Sequence, residues 1–139
     1  MWCVYPPKRA DEEMPVRQDK RSPKILEISW GHMDVEGLGV GKDFKLYPGG
    51  GRHWDWAETG TRHMPVIQPA DVEELLAQGA TTVVLSKGTD QQLRVASETL
   101  RYLEERSIQV HVVKTREAVK IYNELVDATA VAGLFHSAC

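Results

Sequence analysis

The chain has 139 residues, 42% of them hydrophobic and 27% charged, with a formal net charge of −3 at pH 7. That length fits one domain with a core of its own, and the slight acidity excludes the clustered Lys and Arg on which nucleic-acid binding rests. No apolar run reaches the length of a membrane span. The two cysteines, Cys3 and Cys139, stand at the ends of the chain, which suits reduced thiols and a cytoplasmic location better than a disulfide framework.

Residues 1–23 carry prolines and alternating charges with almost no hydrophobic period. They are expected to form a flexible N-terminal tail, because they cannot bury enough apolar surface to offset ordering. Asp11-Glu12-Glu13 also argues against a mitochondrial presequence, which is poor in acids. The folded domain is expected over 24–139.

From Lys24 the pattern becomes structural. Leu26, Ile28 and Trp30 alternate with Glu27 and Ser29, the period of a half-buried strand. Met33 and Val35 against His32, Asp34 and Glu36 predict a second strand, and Asp43 to Tyr47, with Phe44 and Leu46 on one face, a third. Together these three predict a small meander. Pro69 then opens a helix with a stripe of Val72, Leu75 and Leu76, ended by Gly79. The β-branched run Thr81 to Leu85 reads as a strand buried on both faces. Ser97 is placed as the cap of a helix with Leu100 and Leu103 inward, followed by a strand over 108–113. Thr115 is placed as the cap of a third helix with Val119, Tyr122, Leu125 and Val126 inward, and a last strand covers 130–135. Strand and helix alternate. The expected fold is therefore an α/β single domain in three layers, with a mixed central sheet plus the small N-terminal β meander.

In such folds ligands collect beyond the carboxyl ends of parallel strands, beside helix N-termini. Two such ends are Ser86 to Asp90, with Lys87 and Thr89, and Lys114 to Arg116, with Thr115. A polar, aromatic segment can fold over them: Arg52, His53, Trp54, Asp55, Trp56, Glu58, Thr59 and His63, preceded by Gly49-Gly50-Gly51. These residues form the candidate binding pocket or surface.

Several sharper motifs fail. Gly37 to Lys42 has the glycines of a phosphate loop, but Asp43 and an alternating strand follow where Ser or Thr and a helix are required. It reads as a hairpin turn. His53, Asp55, Glu58 and His63 lack the spacing of a zinc site, so no metal is expected; a loop held by its own ion pairs, such as Arg52 or Arg62 with Asp55 or Glu58, accounts for them as well. Trp54 and Trp56 project to one side of an extended segment. They are expected to cover core with their indole N–H groups bonded to backbone, the alternative being an exposed platform. Ser86 lacks the nucleophile elbow of hydrolases, and no catalytic residue is assigned.

The motifs Ile28-Ser-Trp-Gly31, Tyr47-Pro-Gly-Gly50 and Trp54-Asp-Trp-Ala-Glu-Thr-Gly-Thr61 occur in order, followed by Pro69-Ala-Asp-Val72, Thr115-Arg-Glu-Ala-Val119, Tyr122-Asn123 and Gly133-Leu-Phe-His-Ser137. On these the chain resembles the Mth-type domain family from Ser22 to its end, in particular its adipogenesis-associated branch. It is more distantly similar to the complex I assembly factor 3 branch. Where relatives carry a Gly-x-Gly turn, this chain has Ser86-Lys87-Gly88. The resemblance implies the same three-layer fold and a non-enzymatic cytoplasmic protein linked to fat-cell differentiation, with no cofactor and a protein partner. The alternative is a small-molecule binder, or an orphan enzyme, with a pocket at the strand ends using Arg52, Asp55, Glu58, His63 and Lys87. Neither reading involves nucleic acid or a membrane.

Overall fold

A computed structural model describes residues 21–58, 67–88 and 94–137 of the protein. A five-stranded mixed sheet forms the middle layer, built from β4 (Asp43–Tyr47), β5 (Gly50–His53), β6 (Thr82–Ser86), β7 (Gln109–Val113) and β8 (Val131–His136) in the order β5-β4-β8-β6-β7. β6 runs parallel to both β7 and β8, whereas β4 is antiparallel to β8 and to β5. α1 (Pro69–Ala77) and α2 (Ser97–Glu105) cover one face of this sheet. α3 (Thr115–Leu125) and an antiparallel three-stranded sheet, β1 (Ile25–Ser29), β2 (His32–Val35) and β3 (Gly39–Gly41), cover the other. The fold is the expected three-layer α/β single domain.

Side-chain alternation divides the core in two. On β6, Val83 and Leu85 pack with Val72, Leu75 and Leu103 on the α1/α2 side, while Val84 packs with Tyr122, Val119 and Phe135 on the α3 side. Every residue of β6 is buried, as its β-branched run requires. Gly133 is needed because a Cβ there would collide with the Phe135 ring and lie 3.1 Å from the Val84 carbonyl. That vacancy lets Phe135 meet Tyr122 edge-on at 5.0 Å.

The meander differs from the expectation in membership and in facing. Its third strand is Gly39–Gly41, within the segment read as a turn, and Asp43–Tyr47 leaves for the central sheet. A bulge between Ile25 and Glu27 shifts the β1 register. Ile25 is consequently buried and Leu26 exposed, so of Leu26, Ile28 and Trp30, read as one face, only Ile28 packs on the core. The open edge of β1 is closed by α3: Asn123 Nδ2 donates to the Ile25 carbonyl at 2.8 Å and its Oδ1 accepts from the Ile25 amide at 2.9 Å.

Other differences are local. Gly50–His53, expected to be loop, pairs with β4 as an edge strand. Ser97 and Thr115 are the first residues of their helices, not caps; Ala96 and Lys114 hold those positions. Thr99 takes the inward place expected of Leu100, its hydroxyl donating to the Ile67 carbonyl at 2.9 Å. The tail expected over 1–23 falls outside the described residues up to position 20. Its last three residues are held on the domain: the Ser22 hydroxyl donates to the Val131 carbonyl, and Pro23 accepts from the buried Tyr122 hydroxyl at 2.6 Å. Cys3 and Cys139 also lie outside the described residues.

Candidate functional site

The carboxyl ends of β6 and β8, the start of β4 and the residues after β5 meet at one edge of the central sheet. Period-two alternation sends their side chains to opposite faces. On the α1/α2 face, His136 Nδ1 lies 2.7 Å from Asp43 Oδ1, the two residues being cross-strand neighbours. The Trp56 ring packs on the imidazole at 4.6 Å, and Trp54 on Trp56 at 5.5 Å. On the α3 face, Ser86 and Thr115 hydroxyls are 2.7 Å apart, and Thr115 donates to the His136 carbonyl at 2.7 Å. The Ser86 hydroxyl also lies 3.4 Å from the same carbonyl, so both hydroxyls converge on the His136 backbone.

That division decides the chemistry. Asp43 and His136 have the pairing of a catalytic dyad, but no hydrogen bond among the described residues joins Ser86 to the imidazole. The Ser86 hydroxyl points to the other side of the sheet and is committed to Thr115. The Ser86–Thr115 pair ties strand ends to a helix start and does not present Ser86 to the imidazole.

Beside this edge, Arg52 on β5 and Lys45 on β4 are directly opposite each other, and both reach Glu74 on α1. Arg52 grips Glu74 with two bonds, Nη2 to Oε1 at 2.6 Å and Nε to Oε2 at 3.1 Å, and also reaches Glu58 at 3.0 Å. Lys45 is only 3% exposed and its ammonium sits 3.3 Å from Glu74. The hydrogen bond from Arg52 holds the Glu74 carboxyl below the usual carboxylate range, and the same bond holds Arg52 above its ordinary value. Burial, then the negative Glu74, pushes the Tyr47 hydroxyl up.

The remaining candidates separate. His53 stacks on Phe44 at 4.7 Å, over Gly41, where a Cβ would strike the imidazole. Asp55 does not pair with Arg52; its Oδ1 accepts from the Ala57 amide at 2.9 Å and closes the turn into a single 3-10 turn, Trp56–Glu58. Trp54 is 4% exposed, so it covers core as expected, but its indole N–H has no partner among the described residues. Lys87 is half-buried at the end of β6, apart from the Arg52 cluster, and Thr115 serves the hydroxyl pair. Thr59, His63 and Thr89 lie outside the described residues, as does Arg62. Among the described residues no three His, Cys, Asp or Glu side chains come together as metal ligands. Lys45, Glu74, Asp43 and His136 were not singled out from the sequence. Lys45 alternates with Phe44 and Leu46 as a solvent-facing residue does, so its burial left no signal in the sequence.

A family model described as a protein of unknown function (DUF498/DUF598) matches residues 25–136. The chain belongs to this family. Three solved structures show how the DUF498/DUF598 fold recurs. A conserved hypothetical protein from Pyrococcus horikoshii OT3 is 23% identical with a TM-score of 0.71, covering 84% of this chain and 99% of its own. A protein from Bartonella henselae described as an outer membrane protein is 23% identical with a TM-score of 0.68, covering 87% and 98%. A Bordetella pertussis protein described as a Mth938-like domain is 18% identical with a TM-score of 0.55, covering 83% and 85%. At these identities they establish the shared fold. No helix among the described residues is long and apolar enough to cross a membrane.

Proposed function

We propose that this DUF498/DUF598 protein acts without catalysis, as a cytoplasmic regulatory or scaffolding domain that binds another protein. The observation that carries this is the outward side of the meander, where Leu26 is 62%, Trp30 60% and Val40 57% exposed. Three large apolar residues exposed on one small sheet, with tryptophan among them, favour an interface. Val40, Asp34 and Glu27 lie in one cross-strand row, so acidic groups border the apolar ones and favour a partner with basic residues around an apolar anchor. Trp54 and Trp56 are turned toward core and His136, which moves the proposed interface away from the loop at 49–63. By resemblance to the adipogenesis-associated branch, the process served is preadipocyte differentiation.

The test compares proximity labelling in preadipocytes by the wild type, by Trp30→Ser/Val40→Lys, and by Arg116→Ala on the exposed start of α3 as control. The proposal expects one partner set lost with the meander variant and kept by the control, with lipid accumulation reduced in parallel. A meander variant that folds, labels the same proteins and sustains differentiation overturns it.

A further inference from the structure

A groove of about 420 Å³ opens on the α1/α2 face beside the carboxyl ends of β6 and β7, away from the meander. Its floor is aliphatic: Val95, Leu100 on α2 and Val112 on β7. Its polar lining among the described residues is Lys87 and Arg94. Leu100 remains 38% exposed here because Thr99 holds the inward position of that turn, so the helix presents a leucine to the groove. Among the described residues neither Lys87 nor Arg94 has an ion-pair partner, and no carboxylate lines the groove. The volume falls in the usual ligand range of roughly 300–1,000 Å³, and the location is where parallel α/β sheets bind ligands.

From this juxtaposition of an aliphatic floor and two cations with no ion-pair partner among the described residues we infer that the groove is a binding site for a small aliphatic anion, a molecule with a saturated chain and a carboxylate or phosphate head. The chain lies along Val95, Leu100 and Val112. The head meets the Arg94 guanidinium, whose planar fork suits two oxygens at once, and the Lys87 ammonium, which adds a point charge. An apolar molecule without the head leaves both cations unanswered, and a hydrophilic anion gains nothing from the floor.

The experiment titrates the full chain, uniformly labelled with ¹⁵N, with octanoate, octyl phosphate, 1-octanol and inorganic phosphate while recording amide spectra. Saturable shifts at Lys87, Arg94, Val95, Leu100 and Val112 are expected with an octyl anion, and octanoate against octyl phosphate identifies the head group. Octanol and inorganic phosphate should each bind at least about tenfold more weakly, the factor that one charge-assisted hydrogen bond or a few buried methylenes supply. Lys87→Ala/Arg94→Ala should weaken the preferred anion by the same factor or more, and Leu100→Ser should do so without altering the salt dependence. The variants change exposed or half-buried side chains, and an unchanged wild-type spectrum outside the groove checks their fold. Octanol binding as tightly as the anions, shifts centred elsewhere, or no saturation below about 10 mM would each overturn the inference.

Discussion

Glu74→Gln tests whether the cluster at β4, β5 and α1 is a structural clamp. The amide keeps the shape of the carboxylate but removes the charge that faces Lys45 and Arg52, at 3.3 and 2.6 Å. Breaking a fully buried pair costs about 3–5 kcal/mol, because the remaining charge stays desolvated. Lys45 meets that condition at 3% exposure. Arg52 does not: its side chain is 36% exposed and keeps Glu58 at 3.0 Å. Discounting the solvent-screened arm leaves about 2–3 kcal/mol, or about 8–12 °C in Tm for a domain of this size. Calorimetry at pH 7 should show that loss, against under about 2 °C for Glu73→Gln, an exposed neighbour on α1. Adding Lys45→Met should restore more than half of it, since an apolar side chain needs no counter-ion. The carboxyl of Glu74 is held below its ordinary value of 4.5, so the unfolded chain takes up its proton first as pH falls. Its stabilisation is full above that value and lost through the lower native one. The gap between wild type and variant should therefore close in acid. A Glu74→Gln protein as stable as Glu73→Gln at pH 7, or a gap unchanged in strong acid, refutes the clamp.

Three further substitutions probe other joints. Thr115→Val leaves the His136 carbonyl and the Ser86 hydroxyl without their 2.7 Å partner and should cost about 1–3 kcal/mol in urea unfolding, with Thr115→Ser costing less than half as much. Tyr122→Phe should lower stability by about 1–2 kcal/mol and speed trypsin cleavage after Arg21, because Pro23 loses its anchor. Gly133→Ala drives a methyl into the Phe135 ring and should cost about 3 kcal/mol, the upper end for overpacking; a neutral result would mean that Phe135 can repack.

What the sequence disclosed followed from local periodicity. The β-branched run and the stripe of Val119 and Tyr122 on α3 each carry their burial in adjacent residues; Thr82 to Leu85, Val119 and Tyr122 are buried as read, and only Thr81, which precedes β6, is exposed. β5 escaped because Gly50 and Gly51 have poor strand propensity; it exists through its ladder to β4. The bulge at Leu26 escaped because one inserted residue reverses alternation without leaving a composition signal. The candidate site divided along the same line. Arg52 with Glu58, six residues apart, was readable as a pinned loop, whereas Glu74 lies 22 residues from Arg52 and Asp43 lies 93 from His136. Those partners meet only once β4 has moved into the central sheet, and that move is what the expected meander obscured.

The two proposed surfaces occupy opposite faces of the central sheet, which makes their independence a test of both. The meander packs through Met33 and Val35 onto Phe44 and Leu46, while the groove rests on Val112 and the α1/α2 core that includes Leu85 and Leu134. Between them lies a sheet whose central strand β8 is wholly buried and whose strand ends are tied by Ser86, Thr115 and His136. A rigid layer of this kind carries no second arrangement for one surface to impose on the other. Trp30→Ser should thus leave the affinity for an octyl anion within about twofold, and Lys87→Ala/Arg94→Ala should leave partner capture intact, their combined effects adding as for separated sites. Strong coupling would require β8 and the hydroxyl pair to shift between two states, and Thr115→Val, which loosens that tie, would then change the coupling as well as the stability.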